Sequence, residues 1–162
     1  MIAAVVAGGG AAALIDLRTR RVPNPLTGLL ASVGVAFAAS GLSGVTLGAS
    51  LAGCALGLAL MLPGHLLGGT GAGDVKLFAA LGALIGPGHI AVAFFYTAIA
   101  GGLIAVVVAL RRRRLRRTID GTALLIVSAG TAAPAIESPL EHNRFAYAPA
   151  IAVGALLAVL GL

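Results

Sequence analysis

The chain has 162 residues, of which 59% are hydrophobic and only 10% charged, with a formal net charge of +6. Its mean hydropathy of +1.07 lies outside the range of soluble globular domains, which excludes that class and leaves an integral membrane protein. Twenty-four glycines among many alanines fit membrane helices, whose backbones approach closely through small residues.

Met1 to Ile15 is a short apolar run followed, not preceded, by Arg18, Arg20 and Arg21. A secretory signal has the reverse order, so the run reads as a retained first span with its N-terminus outside. In chain order the apolar runs predict spans at 2–16, 26–42, 45–63, 75–86, 89–110 and 145–162. The expectation is an all-α integral membrane protein, a compact bundle of about six transmembrane helices forming one membrane-embedded domain over 1–162. The first and fourth runs fall short of the roughly 20 residues that cross a bilayer unaided. They sit in locally thinned membrane or end inside the protein. Gly44/Gly48, Gly53/Gly57 and Gly82/Gly86 are small-xxx-small pairs suited to tight packing.

Starting outside, six alternating spans put the loops at 17–25, 64–74 and 111–144 on one side, and every Lys and Arg lies in or beside them. By the positive-inside rule that face is cytoplasmic. The block "RRRRLRR" from Arg111 to Arg117 sets topology and contacts anionic lipid rather than nucleic acid. The stretch 121–136 is apolar enough for a seventh crossing. It reads better as a surface-lying or re-entrant segment, because a crossing there would turn the last span around.

The acids are Asp16, Asp74, Asp120, Glu137 and Glu141. Asp16 and Asp74 stand at span boundaries on the cytoplasmic side, where an ionisable group is costly and usually functional. Taken singly each has a plain role: Asp16 ends the first span beside Arg18, and Asp74 caps the fourth. As a facing pair they could not both ionise easily, so one would keep a proton. Aspartyl proteolysis uses such a pair, the ionised group activating water and the protonated one polarising the peptide carbonyl.

"GAGDVKLFAALGA" at 71–83 resembles the G-x-G-D-x-K-L segment of type IV prepilin peptidases, among the GxGD intramembrane aspartyl proteases, with Gly71, Gly73, Asp74, Lys76 and Leu77 matching. "IDLRTRRVPNPLT" at 15–27 resembles the family's first-aspartate segment D-x-R-x-x-x-I-P-N through Asp16, Arg18, Pro23 and Asn24. "FAYAPAIAVGALLA" at 145–158 is similar to the run opening the family's last span, with alanine at 146 where proline is usual. The resemblance implies that Asp16 and Asp74 are a catalytic pair, with Gly71, Gly73, Lys76, Arg18, Pro23 and Asn24 as supporting motif residues. The implied activity is removal of the short basic leader of prepilins at the cytoplasmic membrane face, without cofactor or metal. One cysteine and no N-terminal extension resemble the short peptidase-only form of tight-adherence (Flp) pilus systems.

Other residues read more plainly. Cys54 is a small packing residue. His65, nine residues before Asp74, could reach the site but reads better as a headgroup-level histidine; His89 belongs to the opposite face, and Lys76 either holds the charge of Asp74 or anchors the interface. "ESPLEH", with Glu137, Glu141 and His142, lacks zincin spacing, and Pro139 interrupts any helix. "GGTGAGD" lacks the G-K-[ST] of a phosphate loop. The 64–74 loop, with its five glycines, reads as mobile and able to admit an extended cleavage site. A transporter or proton relay would place acids nearer mid-span and on more helices. A non-catalytic assembly subunit would use the acids only as caps.

Overall fold

The computed structural model describes residues 2–111 and 147–161. These form five helices: α1 (Ile2–Thr19), α2 (Asn24–Ala39), α3 (Leu47–Leu66), α4 (Ala72–Arg111) and α5 (Ala148–Leu160). The basic block beyond Arg111, the 121–136 stretch, and Asp120, Glu137, Glu141 and His142 lie outside the described residues. Three helices, Ile2–Thr19, Leu47–Leu66 and Ala72–Val107, are long and apolar enough to cross a membrane; α2 and α5 are shorter. With its composition, this makes the chain an integral membrane protein.

Among the described residues the helices number five, not six, because the predicted spans 75–86 and 89–110 are the two limbs of α4 with no loop between them. Of residues 86–89, "GPGH", Gly86 alone leaves helical geometry, at φ 78° and ψ 175°, and the helix resumes at Pro87. That backbone region is essentially closed to residues with a Cβ, while proline is at home in a helical first turn. The chain doubles back there. Phe78 and Phe94 would stand about 24 Å apart in a straight helix, yet their ring centroids are 6.2 Å apart, edge to face.

The limb of α4 before Gly86 is apolar on every side and correspondingly buried: Leu77, Phe78, Leu81, Leu84 and Ile85 are nearly or wholly inaccessible. The short fourth run therefore ends inside the protein, the second of the two alternatives its length left open. The first run is longer than predicted, since α1 continues to Thr19. Around the inner limb pack α2 and α3; α5 lies against α4 and α1. Leu14, Leu29, Leu51, Phe95, Ile99 and Leu103 face outward, an apolar exterior suited to lipid. Of the small-residue pairs, Gly53/Gly57 and Gly82/Gly86 lie where α3 meets α4. Gly44 and Gly48 have nothing within 4 Å of a would-be Cβ and take no part in packing.

Candidate active site

The described chain carries two acids, and both are buried: Asp16 is 4% and Asp74 8% exposed. They come from different helices, Asp16 from the last turn of α1 and Asp74 from the first turn of α4. The fold brings them to one end of the bundle, within range of each other's charge.

Each carboxylate is held by a backbone N–H. Asp74 Oδ2 accepts from Gly71 N–H at 3.1 Å, while Asp74 N–H donates to the Gly71 carbonyl at 3.0 Å. Gly71 is thus the N-cap and Asp74 the third helical residue, reaching back as the acid of a capping box does. The expected N-cap position for Asp74 shifts by three residues, because α4 starts at Ala72. Asp16 Oδ2 accepts from the N–H of Ala148, the first residue of α5, at 3.1 Å. Tyr147, the N-cap residue of α5, supplies no side-chain cap. Asp16 supplies an acceptor to one of that helix's orphan donors and places its charge at the positive end of the helix dipole.

The supporting motif residues explain how the two segments are joined. A Cβ on Gly71 would sit 3.0 Å from Asp74 Oδ2, so a side chain there would displace the carboxylate. A Cβ on Gly73 would lie 3.1 Å from Val22 Cβ and 3.3 Å from the Val22 carbonyl oxygen, so glycine lets the α1–α2 connection lie against α4 without being pushed away. Lys76 Nζ donates to Asn24 Oδ1 at 2.9 Å, a link from α4 to the start of α2. Lys76 thus ties the two motif segments together. Pro23 precedes α2 in extended geometry, and Arg18 is exposed on α1. Arg20, not singled out in the sequence, lies within range of the Asp16 charge and takes a left-handed φ of 53° as its N–H closes on the Asp16 carbonyl at 2.7 Å.

Gly73→Ala is expected to lower stability by about 1 kcal/mol and Gly73→Val by about 3 kcal/mol, the range for overfilling a packed contact. Thermal unfolding of the purified protein in detergent checks the order.

One participant was not legible in the sequence. Ala148 acts through its backbone, which leaves no side-chain signature. Tyr147 packs its ring on Gly101, where a Cβ would meet ring atoms from 2.6 Å, and lies within range of the Asp74 charge. His89, whose Nδ1 is 3.1 Å from the Ile85 carbonyl oxygen, belongs to the turn after Gly86, far along α4 from Asp74. Among the described residues no group of three or more His, Cys, Asp or Glu is placed to hold a metal.

No curated protein and no solved structure matches the chain. The type IV leader peptidase family matches residues 3–106, a stretch that runs from α1 into the second limb of α4 and contains both buried acids. This chain belongs to the type IV leader peptidase family, and its function is that of a leader peptidase held in a membrane.

Proposed function

We propose that the chain is an aspartyl endopeptidase that removes the short basic leader of Flp-like type IV prepilins and pseudopilins, with Asp16 and Asp74 as its catalytic pair. The observation that carries this reading is the convergence of two buried carboxylates, from helices far apart in sequence, at one end of the bundle. In the reaction, the ionised carboxylate takes a proton from water as its oxygen attacks the scissile carbonyl. The protonated carboxyl donates to the carbonyl oxygen. The tetrahedral adduct collapses as the carboxyl that took the water's proton passes it to the leaving nitrogen while a hydroxyl of the adduct returns a proton to the other carboxylate, so the pair again shares one proton.

A helical peptide has its carbonyls engaged in hydrogen bonds, so the cleavage site enters as an extended strand. The apolar pilin segment supplies recognition by packing, since a basic leader gains nothing from a protein of net charge +6. The protein works as one domain over 1–162 in the bacterial cytoplasmic membrane, N-terminus outside and acids toward the cytoplasm, with Arg111–Arg117 on anionic lipid. It needs no cofactor, metal or nucleic acid.

The hydrogen bonds from Gly71 and Ala148 favour one competing reading, an assembly subunit whose acids only cap helices. Co-expression with an Flp-type prepilin, following leader loss by gel shift in wild type and in the Asp→Asn variants, separates the two.

A further inference from the structure

The described loop between α3 and α4 is shorter than the sequence suggests, because α3 runs to Leu66 and α4 begins at Ala72. Residues 67–71 form a closed turn. Gly69 and Thr70 N–H both donate to the Gly64 carbonyl, at 2.8 and 3.2 Å, and Leu67 N–H donates to that of Pro63 at 3.0 Å. Inside this turn, His65 Nδ1 lies 2.9 Å from the Thr70 carbonyl oxygen. A carbonyl only accepts, so Nδ1 carries the proton and the imidazole is the donor.

The Thr70 carbonyl and the Gly71 N–H are opposite ends of one planar peptide group. The carbonyl end accepts from His65, and the N–H end donates to Asp74 Oδ2. Hydrogen bonds in such a chain polarise one another, and the two partners fix the plane of the peptide between them. Without the imidazole that plane is free to turn over, since residue 71 has no Cβ to oppose the rotation. A flipped peptide would present a carbonyl oxygen, not an N–H, to the carboxylate.

We propose that His65 is a positioning residue for Asp74, holding the 70–71 peptide so that its N–H stays on the carboxylate. Of the two roles the sequence leaves His65, a headgroup-level position and a reach to the site, the proposal takes the second. The proposal rests on the reading of Asp74 as half of the catalytic pair.

The test uses the full chain purified in detergent with the Flp-type prepilin, comparing His65→Ala, His65→Gln and His65→Asn with Asp74→Asn. An Asn amide nitrogen stands near the place of Nδ1 and donates to Thr70, whereas the Gln amide lies one bond further out. His65→Ala and His65→Gln are expected to lower kcat by about tenfold, the scale of one lost hydrogen bond, with KM unchanged. His65→Asn should restore kcat to within about threefold of wild type on the same grounds. Wild-type kcat in His65→Ala, beside an inactive Asp74→Asn, overturns the positioning role and leaves the acid pair standing. Equal losses in all three His65 variants overturn it as well, since they mark a role of shape and not of the Nδ1 donor. Cleavage by Asp74→Asn overturns the catalytic pair itself.

Discussion

Asp16→Asn and Asp74→Asn are each expected to lower prepilin cleavage by about 1,000-fold, within the range for losing a general acid or base, while the protein remains folded. Asparagine suits this comparison because it separates the two roles that each acid has in the structure. Its side-chain oxygen still accepts from a backbone N–H, so the bonds from Gly71 to position 74 and from Ala148 to position 16 survive. It can neither ionise nor pass a proton. An acid that only caps would tolerate the change almost silently; an acid that handles water or a carbonyl would not. Stability should move the other way. Two buried carboxylates within range of each other's charge cannot both ionise without cost and must hold a proton between them, and replacing either acid removes that cost. Both variants are therefore expected to unfold at or above the wild-type temperature in detergent, a gain in stability at the expense of activity. Asp→Ala at either position loses the cap as well and should cost about 1 kcal/mol. A variant that cleaves at the wild-type rate removes its acid from the mechanism.

The parts of this site that are legible in sequence are those written in side chains. Asp16 and Asp74 stand out because carboxylates are rare in so apolar a chain, and the glycines at 71 and 73 announce a close approach without saying to what. Val22 and the Asp74 carboxylate answer that only in three dimensions. The Asn24 partner of Lys76 was not named by either sequence reading of that lysine, because charge alone does not single out an amide 52 residues away. Hidden altogether were contacts made by the main chain. Neither the Ala148 N–H on Asp16 nor the His65-bound peptide on Asp74 has a spacing rule that would reveal it. At the level of fold, apolar runs locate helices well but cannot tell a loop of several residues from a reversal at one glycine. "GPGH" carries the residues of a turn, and the chain uses glycine to reverse direction at a single residue, which merges two predicted spans into one element.

The depth at which Asp74 sits depends on how closely α4 approaches α3, and Gly82→Val is expected to disrupt both stability and activity. A Cβ at Gly82 would overlap the Gly53 carbonyl oxygen and stand 2.7 Å from the Gly53 carbonyl carbon; a Cβ at Gly53 would overlap the Gly82 carbonyl oxygen in turn. These are backbone atoms, and no rotamer change moves them aside. The close approach continues along the limb: a Cβ at Gly57 would stand 2.9 Å from the Phe78 carbonyl oxygen, and one at Gly34 of α2 would stand 2.9 Å from the backbone of Ala83 and Leu84. Ser50 Oγ donates to the Ala83 carbonyl at 2.7 Å across the same seam. Separating the helices enough to seat a valine would loosen all of these at once, so the cost should reach or exceed about 3 kcal/mol, the upper end for overpacking. Asp74 lies two turns along the same limb, so cleavage should fall even in the fraction that stays folded. Gly48→Val is the control: it also alters a glycine of a small-xxx-small pair, but nothing lies within 4 Å of its would-be Cβ. It should change stability by no more than about 0.5 kcal/mol, as surface substitutions do. Thermal unfolding of both variants in detergent, followed by a cleavage assay at a temperature where each is folded, decides whether the α3–α4 contact sets the site. Equal tolerance of valine at 48 and 82 would mean that it does not.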